Sequence, residues 1–249
     1  MIVNVNDRCT VSGGGEFGVA SQLLRNSRFD PDQATALKGL AGLRRHYFGD
    51  GVLAVDCGAN VGVFTLELAR HMKGWGSIIA IEAQEFIYYA LAGNIVINNC
   101  FNARAILAAV GDADGSMKIP VLDYTAAASF GSLELKPSAK EYIGQNVDYS
   151  DAAMVVVRLM KLDSLRLPRL DLLKIDIEGM EIEALQGAAQ TIADRKPICY
   201  VEVLKSDATR IDAFFAERGY RAFPVGPDSL YVHGSDPCMK HIGQSQRAA

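Results

Sequence analysis

Residues 56–62 read DCGANVG, which sets Asp56, Gly58, Asn60 and Gly62 at alternate positions. The apolar run from Val52 to Val55 stops at Asp56, and from Val61 onward the apolar residues Val61, Phe64 and Leu68 recur at helical spacing. A glycine-bearing strand-to-helix turn lets a ligand approach the backbone closely and aims helix N–H groups at it. Spacing then decides which ligand. A pyrophosphate cradle needs G-x-G-x-x-G, but three residues after Asn60 stands Val63. What the chain has is an acid followed by small turn residues at +2, +4 and +6. Asn60 stands in for a middle glycine, because asparagine tolerates the left-handed backbone better than most residues.

An aspartate with no pyrophosphate to repel it suits a cationic ligand. Glu82, closing the apolar run SIIAIEA, is placed to hydrogen-bond a ribose diol. S-adenosylmethionine has an ammonium, a sulfonium and a ribose but no phosphate, so it is the expected cofactor. Asp56, Gly58, Asn60, Gly62 and Glu82 are its expected binding residues. A match to G-x-G-x-x-G does occur elsewhere, as GGGEFG at 13–18, but it follows residues too polar for a buried central strand. It reads as a mobile loop near the mouth of the site.

The other constellation is LDLLKIDIEGMEIEALQGA, residues 170–188. Lys174 and Asp176 alternate onto one face of a strand, and Glu178 opens the helix that follows. Ligands of parallel α/β sheets bind beyond the carboxyl ends of the strands, which puts Asp176 beside the Asp56 turn. The same residues have plainer uses: Asp176 can cap the helix, Lys174 can pair with it, and Glu181 and Glu183 can favour the helix N-terminus. Glu202 ends a further apolar run, ICYVEV, and can act as a base or only as a hydrogen-bonding support.

These residues need a scaffold, and the apolar pattern supplies one. Strand-like runs at Gly51–Cys57, Ser77–Ala83, Arg104–Val110, Leu172–Ile177 and Ile198–Leu204 are nearly continuous, as in parallel strands buried on both faces. Helical patterns fall between them at Val61–Met72, Glu85–Asn98 and Met180–Arg195. After a helix at Ala208–Arg218 come two short strands, Tyr220–Val225 and Leu230–His233, around GPDS. Strands joined that tightly must be antiparallel. The fold class is therefore α/β, a Rossmann-like, mostly parallel sheet finishing in an antiparallel C-terminal hairpin. Residues 1–50 form an N-terminal extension with a helix in which Asp30 N-caps, Pro31 takes the first position and Gln33 completes a capping box. Residues 51–235 form the main domain. It carries an insert at 113–153 with a hairpin at GSMKIPVLDY and a polar loop at 124–150 suited to a lid. Residues 236–249 read as a tail.

Of the 249 residues 49% are apolar, enough for a sizeable core, and the net charge is −4 with no dense Lys/Arg run. That balance disfavours a nucleic-acid groove or an anionic membrane surface as partner. The five scattered cysteines form no CxxC pair, the N-terminal MIVNVNDRCTVSGGG lacks the continuous apolar core of a signal peptide, and no stretch approaches the length of a membrane span. A soluble cytoplasmic protein is expected. No metal site is assigned, and composition leaves the oligomeric state open.

The chain resembles the FkbM-type family of S-adenosylmethionine-dependent methyltransferases over about residues 50–235. VDCGANVGVFT looks like that family's cofactor motif, and LKIDIEGMEIEALQGA like its most distinctive signature. AVGDADGSMKI and VVVRLMKLDSL stand in the expected order. The resemblance implies a class I methyltransferase sheet of seven strands and methylation of hydroxyls on sugars, polyketides or other natural products. Ala83 departs from it, standing where the family often has proline. A methyltransferase must mainly hold the acceptor in line behind the methyl carbon, which is worth roughly 7–11 kcal/mol. An alcohol must also lose a proton, for which Asp176 or Glu178, and then Glu202, are the candidate catalytic carboxylates. The expected acceptor is a small molecule or a glycan. Transfer to nitrogen, aminopropyl transfer and a non-catalytic cofactor-binding scaffold stay open as alternatives.

Overall fold

A computed structural model describes residues 1–10, 15–137 and 142–242 of the chain. A short ribbon, β1 (Cys9–Thr10) and β2 (Glu16–Phe17), leads into α1 (Val19–Asn26) and the long α2 (Pro31–Phe48). Then come β3 (Val52–Cys57), α3 (Val63–His71), β4 (Gly76–Glu82), α4 (Glu85–Ile97) and β5 (Ala103–Leu107). After the insert, with β6 (Ala109–Val110), β7 (Gly115–Pro120) and β8 (Met154–Met160), the main fold resumes. It continues with β9 (Leu172–Ile175), α5 (Glu181–Gln186), α6 (Ala189–Arg195), β10 (Ile198–Glu202), α7 (Ala208–Ala216), β11 (Tyr220–Val225) and β12 (Asp228–His233).

The central sheet has seven strands in the order β11-β12-β10-β9-β3-β4-β5. All neighbours are parallel except those of β12, which runs antiparallel to both β10 and β11. The expected α/β fold with its closing hairpin is what forms. Period-two alternation splits each central strand between two cores. Val52, Ala54, Ile78, Leu172 and Ile198 pack on one side with α2 and α3. Val55, Ile81, Leu173, Ile175 and Val201 pack on the other with α5, α6 and α7. Continuing that alternation to the carboxyl ends sends Asp56, Glu82, Lys174 and Glu202 to the α2/α3 side. Four polar residues from four strands thus share one face of one sheet edge.

Several elements depart from the sequence reading. The run Arg104–Val110 is two strands: β5 closes the main sheet opposite Glu82, and β6 leaves to pair with β8. The stretch GSMKIPVLDY is no local hairpin, because its strand β7 pairs antiparallel with β8 across the whole insert. The helix expected over Met180–Arg195 is broken at Gly187, where a Cβ would lie 1.9 Å from the Gly111 carbonyl oxygen. Asp163 reaches into the break and accepts the N–H groups of Gln190 and Thr191, capping α6 from outside. Asp30 does cap α2, accepting from Gln33 N–H. The reciprocal half of that capping box is absent, since the Gln33 amide donates to Asp228 at 3.0 Å instead. The final hairpin turns at Gly226 and Pro227, with β12 starting at Asp228.

The insert is also less polar than its sequence suggests. Ala128, Phe130, Leu133, Leu135 and Ile143 are buried in a third core with Val61 and Met180. The N-terminal segment ties to it: the buried Asp7 accepts from Phe130 N–H and from Ala20 N–H, each at 3.0 Å. Asp236, expected in the tail, pairs with the buried Arg44, and Cys238 beside it is buried. That part of 236–249 packs on the body, and residues 243–249 lie outside the described residues. So do residues 11–14, hence most of the glycine run of GGGEFG.

Candidate active site

A cavity of about 260 Å3 opens at the carboxyl ends of β3, β4, β9 and β10. The turn residues Gly58 and Asn60, the β4 end from Glu82 to Gln84, Lys174, and Asp176 to Glu178 line it. Glu202, the insert residues Ser129, Gly131, Ser132, Leu133 and Leu135, and the N-terminal Phe17, Val19 and Phe29 complete the wall.

The glycine turn is tied into itself. Gly58 and Ala59 N–H both donate to Ile81 C=O, and Gly62 N–H donates to Ala59 C=O. Asn60 N–H donates to Glu82 Oε2 at 2.9 Å, and Val61 N–H donates to the Asn60 side chain at 2.7 Å. All five backbone donors of the turn are therefore used internally. Asn60 has φ +49°, the left-handed conformation its residue type allows. Gly58, at φ +77°, permits a close approach: a Cβ there would fall 1.7 Å from the Asp176 carbonyl oxygen.

The five expected cofactor residues fall into two groups. Gly58, Asn60 and Glu82 line the cavity. Asp56 and Gly62 lie behind it. Gly62 caps α3 against Leu91. The buried Asp56 accepts from the Thr65 hydroxyl at 2.7 Å, and its other oxygen stands 3.9 Å from Lys174 Nζ. Burial raises its pKa, with Lys174 and Thr65 working the other way. Asp56 thus supports Lys174 from below rather than facing a ligand. Glu82 accepts Asn60 N–H on one oxygen and Gln84 N–H on the other, each at 2.9 Å. Burial pushes its pKa up to about 7 against those hydrogen bonds.

Asp176 is not a helix cap: α5 has Met180 at its N-cap position, with no side-chain hydrogen bond there. It holds Lys174 Nζ at 2.9 Å, and that ammonium also lies 5.0 Å from the Phe64 ring centroid. Burial alone would depress the Lys174 pKa, but Asp176 and Asp56 outweigh it and hold the ammonium above its ordinary range. Glu178, at φ +59°, turns back into an ion pair with Lys205. Burial and the Asp176 charge push its pKa up to about 8, partly offset by Lys205. Glu202 Oε2 is buried and finds no hydrogen-bond partner among the described residues. Burial, then Asp176 and Glu178, push that group up to about 9. Glu181 is a loop clamp, accepting from the backbone of Ile177 and Gly179 and from the Ser206 hydroxyl.

Some residues of the wall and of its support had no sequence signal. Gln84 donates to Phe130 C=O and accepts from the Tyr124 hydroxyl, fastening the insert to the β4 end. Lys205 lies 27 residues beyond Glu178, outside any motif. Phe29 meets Phe64 edge-on at 5.9 Å between ring centroids, so the N-terminal extension walls the same cavity.

A mostly parallel sheet with the antiparallel strand second from its edge, a glycine turn after β3 and an acid ending β4 define the Rossmann-like methyltransferase fold. Solved structures agree on the fold. The crystal structure of methyltransferase FkbM from Methylobacillus flagellatus KT superposes with a TM-score of 0.52 at 17% identity, covering 77% of this chain and 48% of that one. The Methyltransferase FkbM domain model matches residues 56–222, and the chain belongs to this family. It is 26% identical over 192 residues to methyltransferase sdnD of Sordaria araneosa, covering 67% of this chain and 72% of that protein. It is 24% identical over 192 residues to methyltransferase 1 of Beauveria bassiana (strain ARSEF 2860), covering 73% and 77%. Among the described residues no helix is long and apolar enough to cross a membrane.

Proposed function

We propose that the chain is an S-adenosylmethionine-dependent O-methyltransferase acting on a hydroxyl of a small molecule, sugar or other natural product. The observation that carries this reading is the closed hydrogen bonding of the 58–62 turn beside Glu82. A pyrophosphate would meet a carboxylate there, with no turn N–H free to receive it. A phosphate-free adenosyl ligand with cationic groups is compatible with the same surroundings.

The residues present fit that cofactor. Each Glu82 oxygen accepts one backbone N–H and keeps a lone pair for a ribose hydroxyl. Gly58 and Asn60 would hold the ligand against the backbone, and the carboxylates of the cavity favour its positive charge. S-adenosylmethionine would supply an activated methyl group on a cationic sulfonium. The chain's own task is to position the acceptor and take its proton. Asp176, set by Lys174 and lining the cavity, is the proposed proton acceptor. Glu202, with a pKa raised to about 9 by burial, would donate a hydrogen bond toward the acceptor, whereas Glu178 is held by its ion pair with Lys205.

Calorimetry tests the cofactor. S-adenosylmethionine and S-adenosylhomocysteine should bind saturably and NAD should not. Saturable NAD binding without either adenosyl ligand would overturn the reading. Turnover of methyl-labelled cofactor with cell extract, followed by mass analysis, should yield a methyl ether. An N-methyl product would move the acceptor to nitrogen.

A further inference from the structure

The outer side of α4 is apolar where solvent should find charge. No Asp, Glu, Lys or Arg occurs from Phe86 to Ala103. At 100° per residue, Phe86, Tyr89, Gly93, Val96 and Ile97 fall in one stripe about 100° wide. Phe86 is 57% exposed, Tyr89 55%, Val96 61% and Ile97 57%. The gap at Gly93 is filled from the N-terminus: Ile2 lies over it, anchored by paired hydrogen bonds to Asn94 and itself 46% exposed. Phe101, just past the helix, is 79% exposed.

Such a helix is normally covered. A Phe or Tyr side chain offers about 150–250 Å2, so the three aromatics alone leave roughly 300–480 Å2 uncovered. With the three aliphatics added, the patch reaches the top of the ~300–600 Å2 range for the largest apolar patch on a monomer. It comes within reach of the ~800 Å2 per partner that a standard interface buries. We infer that this stripe is the interface of a homodimer, α4 packing against α4 of a second copy across a two-fold axis.

The size and neutrality of the stripe favour a second copy. Two molecules of net charge −4 can meet here because the stripe carries no charge except Glu85 at its N-terminal end, where it accepts from the Tyr89 hydroxyl, and antiparallel pairing keeps the two Glu85 side chains at opposite ends. An acidic partner finds no Lys or Arg on the stripe to pair with. A lipid surface calls for Lys or Arg flanking the apolar face, which the helix lacks. The neighbouring edge strand β5 exposes Arg104, which opposes pairing by strand addition and leaves the helix face as the contact.

The test uses the full chain in sedimentation equilibrium from low to high micromolar concentration. The expected result is a species of twice the 26.9 kDa chain mass. Val96→Lys should weaken that dimer at least tenfold while leaving the thermal midpoint of the monomer unchanged. A wild-type monomer throughout, or a dimer indifferent to Val96→Lys, overturns the inference. So does a monomer that cosediments with phosphatidylcholine vesicles, which would assign the stripe to lipid.

Discussion

Glu82 Oε2 accepts the backbone N–H of Asn60 at 2.9 Å, so the carboxylate that faces the cavity also fixes the shape of the glycine turn. These two roles are separable. Glu82→Gln keeps an acceptor oxygen but loses the charge, and Glu82→Ala loses both. With charged hydrogen bonds worth about 1.5–3 kcal/mol, Glu82→Ala should weaken S-adenosylhomocysteine binding roughly 10- to 150-fold by calorimetry. Glu82→Gln should fall between it and wild type. Equal affinity in all three would place the ribose elsewhere.

Asp176, paired with Lys174, and Glu202, with a buried oxygen that lacks a hydrogen-bond partner among the described residues, line the same cavity, and isosteric amides can distinguish their roles. Asp176→Asn removes the proposed proton acceptor and should slow transfer by about 10²–10⁴. Its cofactor affinity should stay within a few-fold. Glu202 carries its proton below a pKa of about 9, so Glu202→Gln replaces one neutral donor by another. Single-turnover transfer at neutral pH should then change little. A Glu202→Gln loss equal to that of Asp176→Asn would make Glu202 the base.

Two glycine substitutions of the same type should act in opposite directions. At Gly58 a Cβ meets the Asp176 carbonyl at 1.7 Å on a backbone with φ +77°. Strain and overpacking together should cost about 2–6 kcal/mol and disturb the cavity. At Gly39, inside α2, a Cβ meets nothing within 4 Å. Gly39→Ala should stabilise by about 0.5–1 kcal/mol. Chemical denaturation of both variants measures the contrast.

Burial raises the pKa values of Glu82, Glu178 and Glu202 from an ordinary 4.5 to about 7, 8 and 9. The folded chain therefore binds more protons than the unfolded chain through that window. The stability these groups confer is full below pH 4.5 and is lost as pH rises through their folded values. Thermal midpoints should fall from mildly acidic to mildly alkaline pH without cofactor. Glu202→Gln should flatten the upper part of that decline, and a profile unchanged by the substitution would contradict the assignment.

Much of the site was legible in the sequence because period-two and period-3.6 patterns report which elements are buried and where they end. Asp56, Glu82, Lys174 and Glu202 each close an apolar run or stand near its end, and parallel strands carry all those ends to one edge. The acid–glycine spacing similarly foretold the turn. Tertiary packing decided what lay outside local pattern. Asp56 and Asp176 were both candidates to face a ligand, but Lys174 comes between them and leaves Asp56 beneath. The partner of β7 is more than thirty residues away, so no local turn signal could name it. The insert reads as polar because its few apolar residues are scattered. They form a core only once Asp7 and Gln84 bring the N-terminus, the insert and the β4 end together. Sequence determines which faces must be buried, whereas the pairing of distant segments depends on hydrogen bonds between residues that no spacing connects.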